Sequence, residues 1–572
     1  MTRCPSPDPG KSGTNCGRPG RRRRVAVVDH ARQAAAGAHD ADHRAKHLFN
    51  TPWPELVMLD LGTAPRAEAA ELQATGEVMT VDSAPEVQVA SGRLRGRMDQ
   101  GVAAFLGIPY AAPPFGARRM RPPEPPVRWE GERSATDYGP TCPKGDYGPE
   151  SAALFPEIVI PGEECLNLNV WTPDPRGAGL PVLVWIHGGM FTQGSGSVAG
   201  YRGTSFARDG VVCVTINYRL GAEGFLYLDD GTANLGLLDQ IAALEWVQGN
   251  IAAFGGDPGR VTVAGQSAGA MSIVNLMAMP RARGLFRQAV TQSGAAAQTH
   301  TAEAAVGFAA RLAESLGIAP TREAFSEVPA ERLARAASAL VKEVQTASDP
   351  AEWASLPFAP VVDGDTLPDH PLDALRRGAG SGVRLLAGWN RDDIRIGLVP
   401  TGMIDIVDEP ALSAIAGALG APGGTVERYR AARPGASSGD LLAAVTTDRF
   451  VRVPAIRVAE AHLEAGGADT WMYRFDHESP SFAGRLGAAH AVEVPYVFDL
   501  LDEESSYALI GDEPPQVVAD TAHGAWVRFV ADGDPGWPRY NLADRSTALI
   551  DERITVVDDP DGAEREVWAG RR

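Results

Sequence analysis

Cysteine is scarce in this chain, five residues in 572. No cysteine cluster has zinc-site spacing, so neither a disulfide-scaffolded fold nor a cysteine zinc module is expected. Long apolar runs are also lacking. The best stretch, Val211 to Leu228, is interrupted by Arg219, short of the roughly 18 apolar residues a membrane helix needs. An integral membrane protein is excluded on that ground, and a membrane is not an expected partner. Basic residues are outnumbered, with 53 Lys and Arg against 72 Asp and Glu, for a net charge of −19. Such a balance repels phosphate backbones, so nucleic acid is not an expected partner either. What is present is ordinary globular composition, 44% hydrophobic and 22% charged, with ample material for a large core.

The first residues read differently from the rest. Residues 1–78 hold 11 Lys and Arg against 9 Asp and Glu, including the run Arg21 to Arg24, and four histidines, His30, His39, His43 and His47. The apolar stretch after the arginines ends at Asp29, too soon for the apolar region of an export signal. The expectation is a disordered leader, or sequence upstream of the true start, with Met79 the natural first residue. Regular patterning begins near Val81, and no linker-like segment divides the chain beyond it, so residues 79–572 are read as a single domain.

Within that domain short β-branched runs alternate with longer helical patterns, as α/β architecture requires. Leu180–Ile186, 211–217, 260–264, 383–387 and Thr470–Phe475 read as strands. The first is apolar throughout, as in a sheet covered on both faces. Leu237, Leu238, Ile241, Leu244, Val247 and Ile251 recur at helical spacing and predict an amphipathic helix, stopped by Gly255-Gly256-Asp257-Pro258. The stretches near 300–350 and 410–465 read as mostly helical.

Gly265-Gln266-Ser267-Ala268-Gly269 lies between a predicted strand and the helical run from Met271 to Met279. The pentapeptide alone is weak evidence, because small residues are common in turns; the strand before it and the helix after it give it weight. A sharp turn there strains the serine backbone, glycines on both sides relieve crowding, and the hydroxyl stands at a helix N-terminus that favours developing negative charge. Ser267 is therefore the candidate nucleophile. The turn His187-Gly188-Gly189-Met190, after the strand ending at Ile186, supplies unobstructed backbone N–H groups of the kind an oxyanion needs.

Further stretches then accumulate in one order: Phe105 to Pro114, Glu163 to Trp171, the His-Gly-Gly turn, Asn217 to Gly221, Asn234 to Gln240, Phe254 to Pro258, the serine pentapeptide, and Gln292-Ser293-Gly294. In these the chain resembles the type-B carboxylesterases, the α/β-hydrolase group that includes bacterial para-nitrobenzyl esterases and the cholinesterases. The resemblance implies an α/β-hydrolase fold, with a large, mostly parallel central sheet covered by helices on both faces. It also implies a serine carboxylesterase acting through an acyl-enzyme on short- to medium-chain aryl or alkyl esters, with no metal or other cofactor. The implied partner is a small-molecule ester, handled by a monomer or homodimer. Absence of any Asn-x-Ser/Thr sequon, export signal or anchor points to a bacterial cytoplasmic enzyme. Relatives that lost the nucleophile serve as adhesion or binding proteins, and others act as lipases. The nucleophile's presence argues against the first, and no apolar lid is legible for the second.

Carried over residue by residue, the resemblance makes Asp393 the triad acid where most members have Glu, with Asp392 the runner-up. The shorter side chain requires the backbone to approach the histidine more closely. His490 becomes the general base; His187, His477 and His523 are rivals, and the chain order Ser267, Asp393, His490 decides among them. Gly189, Met190 and Ala268 map to the oxyanion hole, with Met190 replacing a third glycine and narrowing the space beside the scissile carbonyl. Ser293 maps to the serine that supports the acid. Gln266 stands where cholinesterases carry an acidic residue, and Phe155 where they carry tryptophan, so choline esters are disfavoured. Cys142 and Cys165 align with a family disulfide that a reducing compartment would leave as thiols. Cys213 reads as a buried apolar residue. Arg119 with Glu163, and Arg219 with Asp239, match family ion pairs.

Overall fold

The computed structural model describes residues 84–571, apart from 146, 156, 297 and 348–354. The expected leader, Met79 and the four early histidines lie outside the described residues.

An eleven-stranded sheet organises the fold. In chain order its strands are β1 (Arg97–Asp99), β2 (Val102–Pro109), β3 (Asn167–Thr172), β4 (Leu180–Ile186), β5 (Val212–Ile216), β6 (Gly256–Gln266), β7 (Gln288–Gln292), β8 (Arg384–Asn390), β9 (Thr470–Phe475), β10 (Ser546–Ile550) and β11 (Ile554–Asp558). Across the sheet they run β11-β10-β9-β8-β7-β6-β4-β5-β3-β2-β1. From β10 to β5 neighbouring strands are parallel, while the pairs toward both edges are antiparallel. Residues Glu86–Val89, Gly92–Arg95 and Glu132–Ser134 form a separate three-stranded sheet.

Side-chain alternation along β4 shows why its sequence is apolar on both faces. Val182, Val184 and Ile186 enter one hydrophobic cluster together with helices α1 (Leu235–Asn250) and α2 (Ala268–Ala278). Leu183 and Trp185 point the other way, into a second cluster built largely from helices α4 (Glu493–Phe498) and α5 (Gln516–Asp532). A further helix, α3 (Ala330–Gln345), buries Leu333, Leu340 and Val344 in the first cluster. The sheet is thus mostly parallel and covered by helices on both faces, as expected. Among the described residues, no helix is long and apolar enough to cross a membrane.

Local readings differ from the structure in two places. α1 is buried over more than an apolar face: Asp239, Gln240 and Asn250 are enclosed along with its apolar residues, and only a narrow strip that includes Glu245 and Gly249 is exposed. The helical run does stop at Gly255, which caps the 3₁₀ turn Ile251–Phe254 with φ 84°, but β6 begins at Gly256, ahead of the strand predicted over 260–264, with Leu180 as the register partner of Gly256.

Two ion pairs anchor the loops beneath the sheet's active edge. Arg219 donates from Nε to Asp239 Oδ2 at 2.8 Å and from Nη2 to Oδ1 at 2.7 Å, and its backbone N–H donates to Oδ2 at 3.0 Å. The side chains are 1% and 0% exposed, so α1 and the loop after β5 are tied by a desolvated, bidentate pair. The expected Arg119–Glu163 pair is not formed. Arg119 instead donates from Nε to Glu223 Oε1 at 2.9 Å and from Nη1 to Ser326 O at 2.7 Å. Glu223 is buried whereas Glu163 is exposed, and a buried guanidinium requires a carboxylate that shares its burial. Cys142 and Cys165 are free, buried thiols, with Cys142 Sγ 3.6 Å from the Cys165 carbonyl, and Cys213 is buried in β5 as expected.

Removing one partner of a desolvated pair leaves the other charge unpaired, a loss of about 3–5 kcal/mol. Asp239→Ala is therefore expected to lower the urea midpoint of unfolding markedly; an unchanged midpoint would contradict this role for the pair.

Candidate active site

Ser267 sits between the last residue of β6 and the first of α2, with φ 56° and ψ −124°. An L-residue adopts such backbone angles only under constraint, and the constraint is visible in the neighbouring glycines. A Cβ on Gly269 would stand 1.9 Å from Ile186 O, one on Gly265 2.7 Å from Gly269 C, and one on Gly294 2.3 Å from Ser267 O. Backbones meet here where side chains would otherwise be. Ser267 N–H donates to Gln292 O at 2.9 Å, which fixes the turn against β7.

Of the oxyanion candidates, Ala268 opens α2 directly after Ser267, and Gly189 and Met190 line the same cavity as Ser267. After β4 the chain turns through Gly189 (φ 108°), Met190 (φ 53°) and Phe191 (φ 60°). The N–H groups of Thr192 and Gln193 both donate to Gly189 O, at 2.9 and 2.8 Å. The N–H groups of Gly189, Met190 and Ala268 form no hydrogen bond with another described residue. The Met190 side chain lines the cavity, with its sulfur 3.7 Å from the Nε2 of Gln345, the last residue of α3.

Asp393 and His490 meet as the chain order implies. His490 Nδ1 is 2.7 Å from Asp393 Oδ1, and the histidine's backbone N–H donates to Asp393 O at 3.0 Å. That second contact ties the two backbones directly. Asp393 is fully buried, and its other oxygen accepts from Ser293 Oγ at 3.1 Å and from the Asn390 N–H at 2.9 Å. Asp392 is engaged elsewhere, with Arg391 at 2.9 Å and Arg395 at 3.5 Å. The rival histidines are also occupied elsewhere. His187 is buried against Tyr218, which lowers its pKa to about 3; His477 faces Asp551, and His523 the Val497 carbonyl and Asp209.

Burial alone would lower the pKa of His490, but the hydrogen bond and charge of Asp393, with the charge of Glu493, outweigh it and raise the imidazole above its ordinary value. Its Nε2 does not meet the Ser267 hydroxyl; it lies 2.9 Å from the Gln266 side-chain nitrogen.

Two arrangements at the site were not anticipated from sequence. Glu493 lies in α4, fully buried, accepting from Asn390 Nδ2 at 2.5 Å and from Gln292 Nε2 at 3.1 Å. Burial, joined by the charge of Asp393, raises its carboxyl above the usual range. The signal available was a single acid inside the apolar run 491–498. The second is a clamp on Gly194, beyond the glycine turn: its N–H donates to Glu157 Oε1 at 2.7 Å, its carbonyl accepts from Lys144 Nζ at 3.1 Å, and Lys144 and Glu157 pair with each other. Nothing in the local sequence marks that pair.

Ser267, His490, Gly189, Met190, Tyr201 and Phe155, among others, line one cavity of about 430 Å³. Phe155 packs against Tyr147 with ring centroids 5.9 Å apart. Among the described residues, no group of three or more His, Cys, Asp or Glu could hold a metal ion.

The carboxylesterase family profile matches residues 83–405 and 425–568. The para-nitrobenzyl esterase of Bacillus subtilis (strain 168) is 39% identical over 490 residues, covering 83% of this chain and 96% of its own. The phenmedipham hydrolase of Pseudarthrobacter oxydans is 37% identical over 491 residues, covering 83% and 97%. Among solved structures, a Geobacillus stearothermophilus carboxylesterase at pH 6.2 superposes with a TM-score of 0.75 at 39% identity, over 84% of this chain and 99% of that one.

Because Met190 narrows the cavity beside the glycine turn, Met190→Gly should raise the rate on tert-butyl esters relative to n-butyl esters by about tenfold or more. An unchanged ratio would show that this side chain does not limit the alcohol.

Proposed function

The chain belongs to the carboxylesterase family and is an ester-hydrolysing enzyme, and from that premise we propose that it works through an acyl-enzyme formed on Ser267, with His490 as general base and Asp393 as its acid partner. The observation that carries this reading is the 2.7 Å contact between His490 Nδ1 and a fully buried Asp393, made beside a strained serine on the wall of the same cavity. Ser267 Oγ attacks the ester carbonyl as its proton passes to His490 Nε2, and the N–H groups of Gly189, Met190 and Ala268 receive the oxyanion. His490 then protonates the leaving alkoxide. Water repeats the sequence on the acyl-enzyme, returning carboxylic acid and free serine. Asp393 holds the proton on Nδ1 and stabilises the imidazolium that forms on Nε2.

The apolar cavity supports short- to medium-chain aryl or alkyl esters as substrates. We assign the activity to residues 79–572 as one catalytic domain, since the central sheet draws its strands from Arg97 through Asp558.

With 4-nitrophenyl esters of graded chain length, Ser267→Ala is expected to abolish burst and turnover. Asp393→Asn should lower turnover by about 10⁴-fold, through loss of the correct tautomer. The base must be neutral to act and its pKa is raised, so kcat/KM should fall as pH drops through a value above that of ordinary imidazole. Normal turnover in Asp393→Asn would move the acid elsewhere, and hydrolysis by Ser267→Ala would remove the nucleophile.

A further inference from the structure

His490 has two hydrogen-bonding nitrogens, and the serine takes neither. Nδ1 faces Asp393 Oδ1 at 2.7 Å, and Nε2 faces the Gln266 side-chain nitrogen at 2.9 Å. A carboxylate only accepts, so Nδ1 carries the proton and Nε2 presents its lone pair. The group opposite that lone pair must donate, which an amide N–H does and an amide oxygen cannot. The other end of the same amide is placed as well: Gln266 Oε1 lies 2.9 Å from where a Cβ on Gly188 would be. The amide therefore spans from the glycine turn to the base, and Gln266, buried, forms part of the cavity wall.

We infer that Gln266 is a positioning residue that caps the lone pair of the general base in the resting enzyme, keeping His490 neutral and uncommitted to Ser267 until an ester enters. The inference rests on the reading of Ser267 as nucleophile and His490 as base. Before attack, the amide N–H···Nε2 bond breaks and a Ser267 O–H···Nε2 bond replaces it; no covalent bond changes in this step. Once the serine proton has moved, Nε2–H is itself a donor. It then repels the amide N–H, so the amide must turn away or present its oxygen.

The charged groups facing the imidazole are Asp393, from the turn after β8, and Glu493, from α4, and both favour the imidazolium. The Gln266 donor opposes them by stabilising the neutral form. A carboxylate at the same position would side with them. Gln266 thus sets a balance that a glutamate would reverse.

The test is the pH dependence of kcat/KM and of kcat on 4-nitrophenyl butyrate, for the full chain and for Gln266→Met and Gln266→Glu. Methionine keeps the length of the side chain and removes the donor. In Gln266→Met the acid limb of kcat/KM should move up by about half to one pH unit, the size expected for one ordinary hydrogen bond. The acid limb of kcat should move less, because kcat reports the ester-bound enzyme, in which the cap is already released. Gln266→Glu should move the kcat/KM limb further up. Ester hydrolysis with an unmoved kcat/KM limb in Gln266→Met overturns the cap and leaves the reading of the triad intact; failure of the unsubstituted enzyme to hydrolyse esters overturns that reading instead. If Gln266→Met does not fold, Gln266→Leu, equally without a donor or a charge, takes its place, with the same upward shift expected and an unmoved limb overturning the cap.

Discussion

The close approach of backbone to backbone around Ser267 is the constraint from which the site is built. Gly265, Gly269 and Gly294 allow β6, α2 and the end of β7 to meet where any Cβ would collide with Ile186 O, Gly269 C or Ser267 O. That crowding holds Ser267 at positive φ at the junction of β6 and α2, on the wall of the cavity. The adjacent parallel strands then deliver the remaining groups to the same edge, as open α/β sheets do at their carboxyl ends. β4 ends in the glycine turn, β7 in Ser293 and β8 in the loop that carries Asp393. Backbone hydrogen bonds lace these ends together, from Ser267 N to Gln292 O at 2.9 Å and from Ser293 N to Gly388 O at 3.0 Å.

On this frame the electrostatics of His490 are a contest among named neighbours. Burial favours the neutral imidazole, while Asp393 and Glu493 favour the charged one and prevail. The two acids differ in kind. Asp393 touches the ring, whereas Glu493 is satisfied by Asn390 and Gln292 and acts on it through space. Gln292 joins this network to α5, because its Oε1 accepts from Trp526 Nε1 at 2.9 Å. The polar network around Glu493 is thereby tied to α5, which packs with α4 in the second cluster.

Much of this was legible in the sequence where the determining contacts are local or the pattern is uninterrupted. Leu180–Ile186 and Thr470–Phe475 form strands over the residues their apolar and β-branched runs indicate, and Ser267 is marked by glycines within two positions of it. Asp393 and His490 required the family resemblance, since no local feature distinguishes them from Asp392 or His477. Contacts whose partner choice depends on which side chains end up buried were not legible. Arg119 selects Glu223 over Glu163 for that reason, and Lys144 finds Glu157 only once both converge on Gly194. The burial of Asp239 and Gln240 in α1 escaped for a related cause: helical spacing reveals the apolar face that must be covered, not the cover that other parts of the chain place over polar positions.

The central claim is that one hydroxyl, at Ser267, is made reactive by the imidazole of His490. It is tested most directly by treating the full chain with a fluorophosphonate probe and locating the adduct by peptide mass spectrometry, alongside His490→Ala. The account predicts a single adduct on Ser267 in the unsubstituted chain and slowing of its formation by orders of magnitude in His490→Ala. An adduct on another residue, or one that forms on Ser267 equally fast without the imidazole, would contradict it.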